Sequence, residues 1–218
     1  MSLQSPFIAS QAPSEEGQPS RPDLQRSSGE RATHARLDVT ANRRARKWSR
    51  KELVGRGLWA LAHPLFAWSP RPLWGWRRLL LRLFGARIGR EVHIYPSVRI
   101  AIPWNLTIAD HAAVGDRAIL YALGPVTLAP RVTISQGAHL CAGTHDYRDP
   151  TMPLLKPPIV IECDAWICAD AFIGPGVRIG TRAIVGARCV VTKDVESRAV
   201  MIGNPARLLR RREDGGAS

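Results

Sequence analysis

Between residues 88 and 191, aliphatic residues recur at six-residue intervals, with two additions of two residues and one long insertion. Fifteen positions follow this pattern, and all fifteen are Ile, Val or Leu. An α-helix repeats about every 3.6 residues and a strand about every two, so a sustained period of six fits neither as one long element. It predicts short strands joined by tight corners, three to a coil of about 18 residues, which is typical of a β-helix. The positions are Ile88, Ile94, Ile100, Ile108, Val114, Leu120, Leu128, Ile134, Leu140, Ile161, Ile167, Ile173, Ile179, Val185 and Val191.

This pattern and the composition around it divide the chain into four parts. Residues 1–47, rich in Ser, Pro and Arg, are predicted to be a disordered basic N-terminal tail. Residues 48–87 form an amphipathic helical flank. Residues 88–195 are predicted to be an all-β domain, a parallel β-helix of about five triangular coils with a loop insertion at 141–160. Residues 196–218 form a C-terminal tail.

The flank has two interpretations. Its segment 48–84 is dense in Trp, Leu and Arg. We favour a cap on the first coil, and contact with a membrane surface is the alternative or an addition to it. The sequence has no window of about 18 uncharged apolar residues, so we expect no transmembrane helix. The first residues lack the pattern of a signal peptide. We therefore expect a cytoplasmic protein, placed at the inner face of the membrane if the second interpretation holds.

The net charge of +13 is unevenly distributed. Residues 91–200 carry ten Lys or Arg and ten Asp or Glu, so the basic excess lies before and after the repeats. A neutral repeat surface argues against nucleic acid as a partner. The four cysteines lack the C-x-x-C spacing of zinc sites and indicate free thiols in a reducing compartment.

The insertion carries the candidate chemistry, because functional residues of solenoids concentrate in such loops. It begins with His145, followed by Asp146. An imidazole titrates near neutral pH and can act as a general base, and a neighbouring carboxylate can fix its tautomer. His111, His139 and His145 also raise the alternative of a zinc site like that of γ-class carbonic anhydrases, although they do not share a coil position.

Several short motifs follow one another along the repeats. They are RRLLLRLFGARIG at 77–89, IYPS at 94–97, PWNL at 103–106, GTHD at 143–146, AWI at 165–167, PGV at 175–177, GA at 186–187, VTKD at 191–194 and GNPA at 203–206. In this order the chain resembles the left-handed β-helix, or hexapeptide-repeat, acyltransferases over about residues 48–212. The likeness is closest to the colanic acid biosynthesis acetyltransferase branch, which is related to the maltose and galactoside acetyltransferases.

The resemblance implies a left-handed coil and a homotrimer with active sites in clefts between subunits. It implies direct acetyl transfer from acetyl-CoA without a metal, with His145 as the general base that takes the proton of a sugar hydroxyl. The acceptor would be a sugar or a lipid-linked saccharide in exopolysaccharide biosynthesis. Transfer to a sugar amine is an alternative, because the same base serves either nucleophile. A non-catalytic β-helix used for binding or structure is another.

The resemblance also implies contact residues. The residues matched to CoA binding are Trp166, Ala169, Ala187, Thr192, Lys193, Arg207 and Arg210. Those matched to the acceptor are Asp116, Tyr121 and Asp146. Ala169 stands where the family often has a hydroxyl residue, and Ala122 stands where the branch more commonly has Asn after the Tyr. The first difference preserves a backbone contact with CoA but not a side-chain hydrogen bond. The second leaves the identity of the acceptor undetermined.

Overall fold

A computed structural model of the protein describes residues 37–213. Residues 1–36 of the predicted disordered tail lie outside the described residues. The end of that tail differs from the prediction, because helix α1 (Val39–Arg44) lies before the boundary at residue 47. The side chain of Asp38 caps this helix by accepting a hydrogen bond from the backbone N of Ala41 at 2.8 Å.

Two longer helices form the flank, α2 (Arg50–Ala67) and α3 (Trp74–Leu83). Ser49 and Glu52 begin α2 with reciprocal hydrogen bonds of 2.7 and 3.2 Å, a capping box. The hydrogen bond from the Ser49 backbone is the main reason that the pKa of Glu52 lies below its ordinary value. Trp59, buried on α2, donates from Nε1 to the carbonyl of Ile100 at 2.9 Å. This bond fixes α2 against the first coil.

Arg77 anchors α3 from a fully buried position. Its guanidinium donates to the carbonyls of Ile94, Pro70 and Arg71 and to the hydroxyl of Ser69, at 2.5–2.8 Å. Burial lowers the pKa of Arg77. A buried cation is tolerated only when its donors are satisfied, and these four bonds join α3, the turn before it and the first coil.

The strands are short, as the period of six predicts. In chain order they are β1 (Arg87–Ile88), β2 (His93–Ile94), β3 (Arg99–Ile100), β4 (Leu106–Ile108), β5 (Ala113–Val114), β6 (Ile119–Tyr121), β7 (Val126–Leu128), β8 (Thr133–Ile134), β9 (His139–Cys141), β10 (Thr144–His145), β11 (Leu154–Leu155), β12 (Ile159–Ile161), β13 (Trp166–Ile167), β14 (Phe172–Ile173), β15 (Arg178–Ile179), β16 (Ile184–Val185), β17 (Val190–Val191), β18 (Ala199–Ile202) and β19 (Arg207–Arg211). A 3-10 helix, Pro103–Asn105, precedes β4.

These strands stack into three parallel sheets. Sheet A has the order β1-β4-β7-β12-β15, and sheet C has the order β17-β14-β9-β6-β3. Sheet B runs β18-β16-β13-β8-β5-β2, and β19 pairs antiparallel with β18 at its end. The chain visits A, B and C in turn, so the solenoid has three edges, which we call AB, BC and CA after the sheets they join. The parallel β-helix is confirmed.

The side chains of the six-residue pattern fill the interior. All fifteen are buried, with exposures of 7% or less. Corner glycines allow the coils to stack closely: a Cβ on Gly180 would lie 2.4 Å from the backbone N of Ser197 in the next coil. No helix within residues 37–213 is long and apolar enough to cross a membrane.

The insertion leaves the coil without disturbing its register. Strand β12 pairs with β7, placing Ile161 beside Leu128, and β14 pairs with β9, placing Ile173 beside Leu140. The coil therefore closes as if the insertion were absent. The insertion projects from edge CA, where the chain passes from β9 to β12.

Candidate active site

The insertion is a small antiparallel hairpin. Strands β10 and β11 pair Thr144 with Leu155 and His145 with Leu154. In the turn between them, the carboxylate of Asp149 accepts hydrogen bonds from the backbone N and the hydroxyl of Thr151, at 2.7 and 2.8 Å. These two bonds, the backbone one first, hold the pKa of Asp149 below its ordinary value. The turn is therefore an ordered element of its own.

His145 is exposed, and one ring nitrogen is engaged. Its Nδ1 lies 2.7 Å from the carbonyl oxygen of Met152 across the hairpin. A carbonyl only accepts hydrogen bonds, so Nδ1 carries the proton and Nε2 of the neutral ring keeps its lone pair. Nε2 is thus the atom of His145 that can take a proton from a substrate.

Asp146 does not fix this tautomer. Its side chain accepts a hydrogen bond from the backbone N of Arg148 at 3.0 Å, within its own turn. The orienting group for His145 is instead a backbone carbonyl, that of Met152. Carbonyl partners leave no mark in a sequence, whereas an adjacent carboxylate does, and for this reason the sequence pointed to Asp146.

Asn42 on α1 braces the same carbonyl. Its side-chain amide donates to the carbonyls of Thr151 and Met152, both at 2.6 Å, and accepts from Nζ of Lys47 at 2.8 Å. The backbone N of Asp38 also donates to the carbonyl of Pro150 at 2.9 Å. The Met152 carbonyl therefore receives hydrogen bonds from both Asn42 and His145. Sequence analysis missed Asn42, because it lies in a segment with little apolar periodicity.

The helix and the hairpin enclose a cleft of about 230 Å³ beside His145. Leu37, Val39, Asn42 and Met152 line it together with His145. Most of the lining is apolar, and an alcohol placed there would lie beside the exposed imidazole of His145. None of the predicted acceptor residues Asp116, Tyr121 and Asp146 is among the lining residues.

Asp116 and Tyr121 lie elsewhere on the coil. Asp116 is on edge BC, where its carboxylate contacts Arg71 at 2.6 Å and Ser97 at 2.8 Å. Tyr121 ends β6 on sheet C, with its ring centroid 6.3 Å from that of His139. Burial, and then the charge of Arg99, lower the pKa of His139. Within residues 37–213, Nε2 of His139 is buried without a hydrogen-bond partner.

The three histidines of the zinc alternative are separated. His111 is on edge AB, His139 is on β9 of sheet C, and His145 is in the hairpin. Among the described residues, no three His, Cys, Asp or Glu side chains are grouped so that they could hold a metal ion.

The predicted CoA residues form two groups. Ala169 and Ala187 stack on edge BC, where the backbone N of Arg188 donates to the Ala169 carbonyl at 2.9 Å. Nearby on sheet B, Trp166 donates from Nε1 to the hydroxyl of Ser135 at 2.8 Å. The stacked corners provide a track of small side chains.

The second group lies at the C-terminal end of the coil. Thr192, Lys193 and Arg207 line one cleft of about 370 Å³, together with Pro205 and Ala206 of the hairpin that β18 and β19 form. The cleft is lined by two cations, Lys193 and Arg207, and by one carboxylate, Asp194, which accepts a hydrogen bond from the backbone N of Arg178 at 2.8 Å. The two cations are suitable partners for phosphate. Arg210 is on β19 opposite Val200 and is not among the residues that line this cleft.

Comparisons with known proteins agree with this architecture. Residues 158–193 match the family model "Bacterial transferase hexapeptide (six repeats)". Over 154 residues the chain is 47% identical to the putative colanic acid biosynthesis acetyltransferase WcaF of Escherichia coli strain K12. The matched region covers 71% of this chain and 85% of the relative. It is 34% identical over 113 residues to the galactoside O-acetyltransferase of the same strain, or 51% of this chain and 50% of that one.

A solved structure has the same fold. The hexapeptide-repeat acetyltransferase VCA0836 of Vibrio cholerae O1 biovar eltor, complexed with acetyl coenzyme A, superposes with a TM-score of 0.70 at 26% identity. The match covers 78% of this chain and 93% of that one.

Proposed function

The chain belongs to the hexapeptide-repeat acetyltransferases, and we propose that it moves an acetyl group from acetyl-CoA to a sugar hydroxyl with His145 as the general base. The observation that carries the proposal is the hydrogen bond between Nδ1 of His145 and the carbonyl of Met152, at 2.7 Å. It leaves Nε2 unprotonated on the side of the ring that can meet a substrate. General base catalysis by such a group contributes about 10²–10⁴-fold in rate.

The transfer takes two steps. Nε2 of His145 takes the hydroxyl proton as the sugar oxygen attacks the thioester carbonyl, forming the C–O bond of a tetrahedral intermediate. The intermediate collapses, the C–S bond breaks, and the imidazolium returns the proton to the departing CoA sulfur. The thioester is already activated, so the protein needs to supply only position, a base and groups that stabilise the oxyanion.

The second group of predicted CoA residues suits the phosphates of that donor. Lys193 and Arg207 line one cleft with Thr192, and charged donors bind phosphate about twice as strongly as neutral donors do. The matching structure from Vibrio cholerae is a complex with acetyl coenzyme A. We assign Trp166, Ala169, Ala187 and Arg210 to the same ligand on the family resemblance.

A homotrimer with sites between subunits accounts for the division of these residues. His145, Thr192 and Lys193 lie on edge CA, whereas Asp116, Ala169 and Ala187 lie on edge BC, with the width of sheet C between them. If edge CA of one copy faces edge BC of another, both groups line one cleft. Asp116 would then meet the acceptor from the second copy, whereas Tyr121, which pairs with Cys141 at the start of the insertion, would meet it from the same copy as His145.

The relatives favour a saccharide hydroxyl as the acceptor. One is named for colanic acid biosynthesis and another is a galactoside O-acetyltransferase. We therefore place the reaction in exopolysaccharide assembly, on a free or lipid-linked sugar. Acetylation of a sugar amine differs in product: mild alkali cleaves an acetyl ester and leaves an acetamide intact.

The test is release of CoA in the presence of nucleotide sugars, lipid-linked sugars and simple glycosides, for the native protein and His145→Ala. We expect the variant to lose about 10²–10⁴-fold in kcat with an unchanged circular dichroism spectrum. His111→Asn is the matched control, since it removes an exposed histidine at a corner with φ of 61°, a conformation that Asn tolerates. Retention of most activity by His145→Ala would refute the mechanism.

A further inference from the structure

Helix α2 is apolar on both sides. Trp59 and Phe66 face the first coil and are buried. The opposite side carries an apolar stripe at helical spacing, and every member is more than half exposed, from 54% for Leu58 to 85% for Trp68. A surface helix that packs on one side usually has polar residues on the other. The stripe consists of Val54, Leu58, Leu61, Leu65 and Trp68.

Helix α3 extends this surface. Trp76 donates from its indole Nε1 to the carbonyl of Leu65 at 3.0 Å, which joins the two helices. Trp76, Leu79 and Leu83 follow one another along α3 and are exposed. We call the stripe on α2 and these three residues the outer apolar face. Isolated exposed apolar residues are ordinary, but a contiguous set of this size marks a binding surface.

The charges around this face are mostly cationic; the nearest carboxylates in the sequence are Asp38 and Glu52, and Glu52 lies 3.9 Å from Nζ of Lys156. Between Gly57 and Pro70 there is no charged residue, whereas a cluster of cations stands before and at the start of α2. Residues 39–51 contain no Asp or Glu. The cluster consists of Arg43, Arg44, Arg46, Arg50 and Lys51, all exposed. A helix with an apolar face, Trp residues and adjacent cations has the composition of an interfacial helix.

We propose that the outer apolar face docks on an anionic lipid bilayer, with the cationic cluster in the headgroup region. Charge decides between this occupant and a second copy of the chain joined face to face. In a parallel pairing the cationic clusters of the two copies would approach one another, and in an antiparallel pairing each cluster would face the uncharged end of the partner helix. Anionic headgroups neutralise the cluster, which neither pairing does. Burial of the Leu and Trp side chains is favourable against a bilayer and against a second copy, so the outer apolar face alone does not distinguish the two occupants.

Docking also has a consequence for the acceptor, and this consequence rests on the proposed function. Lys156, at the end of the insertion, donates to the carbonyl of Lys47 at 3.2 Å and lies 3.8 Å from the ring centroid of Trp48. The hairpin that carries His145 is thus tied to the cationic end of α2. Docking would hold this hairpin near the headgroups, where a saccharide on a lipid carrier is presented.

The experiment is flotation of the full chain with vesicles of phosphatidylcholine alone and of phosphatidylcholine mixed with phosphatidylglycerol. We expect flotation with the mixture and little with phosphatidylcholine, weakened by salt because screening reduces the attraction. Leu65→Glu should lower the partition coefficient about tenfold, and the pair Arg50→Gln and Lys51→Gln about tenfold or more on anionic vesicles only.

Leu209→Glu is the matched control, since Leu209 on β19 is 56% exposed and Leu65 is 57% exposed. It should float like the native chain. The proposal fails if the native chain does not float with anionic vesicles, or if Leu65→Glu and Leu209→Glu float equally. A change in mass by light scattering in Leu65→Glu, without lipid binding by the native chain, would make a second copy the occupant. These outcomes are independent of CoA release, which tests His145 alone.

Discussion

Asn42 should control the rate of transfer through the position of His145. Its amide donates to the carbonyls of Thr151 and Met152 at 2.6 Å, and the Met152 carbonyl also holds Nδ1 of His145. Asn42→Ala removes both donors. The carbonyl then keeps its bond from His145 but loses the brace that fixes the turn relative to the coil, so we expect the imidazole to be out of position for part of the time.

The magnitude follows from the two bonds. A neutral hydrogen bond contributes about 0.5–1.5 kcal/mol net, so the brace is worth about 1–3 kcal/mol to the ordered hairpin. If all of this free energy serves to position His145, kcat of Asn42→Ala falls by about 5- to 150-fold, since about 1.4 kcal/mol corresponds to a factor of ten. The KM for acetyl-CoA should change little, because Asn42 is not among the residues that line the cleft of Lys193 and Arg207.

Asn42→Asp is the sharper variant. It keeps the size of the side chain but turns the donor into a charged acceptor that faces two carbonyl oxygens, so it should lose at least as much kcat as Asn42→Ala. If Asn42 served only global stability, the loss of activity would follow a loss of stability. We expect instead that the melting temperature falls by only a few degrees at most, because none of the six residues of α1 is buried.

Asn105 supplies the matched comparison. Its amide also donates to two carbonyls, those of Ala122 and Leu123, at 2.9 and 2.8 Å. It lies inside the repeats and not at the hairpin. Compared with Asn42→Ala, Asn105→Ala should therefore lower the melting temperature more and kcat less. Steady-state kinetics and calorimetry on the variants separate the two patterns. The reasoning is refuted if Asn42→Asp retains native kcat, or if Asn42→Ala loses stability in proportion to activity.

Two further predictions concern the donor cleft and the charged surface. Arg207→Ala should raise the KM for acetyl-CoA by about 10- to 150-fold with little change in kcat, because a charged contact to phosphate is worth about 1.5–3 kcal/mol. Arg90→Ala on the first coil is the control, and equal KM values in the two variants would contradict the assignment. The hydrogen bond from Arg178 is the first cause of the lowered pKa of Glu162, so the carboxylate stabilises the fold above its unfolded pKa, about 4.3, and this contribution is lost as the pH falls through the lower folded value. Glu162→Gln should therefore be less stable than the native protein in urea at pH 7 and approach it in acid, and a stability difference that does not change with pH would rule out this linkage.

The interior was predictable from the sequence, whereas the setting of His145 was not. A period of six carries information because each inward position must be apolar, and all fifteen such positions are buried. The insertion was also visible, since the pattern stops after Leu140 and resumes at Ile161. The partners of His145 were not visible. Met152 acts through a backbone carbonyl that every residue has, and Asn42 acts across a sequence separation of 110 residues.

The relation between coil and hairpin explains why chemistry is located where the repeat is interrupted. The coil pairs β12 with β7 as if the insertion were absent, so the insertion can vary without cost to the core. The same independence deprives the hairpin of support, because a two-stranded ribbon is at best marginally stable by itself. A catalytic base must nevertheless be held closely to a productive geometry. The support comes from Asn42 and Lys156, which join the hairpin to α1 and α2, outside the repeats. If the outer apolar face docks on a bilayer, the helices that brace the base also position it relative to the membrane, and loss of docking should then impair acetylation of lipid-linked acceptors more than that of free sugars.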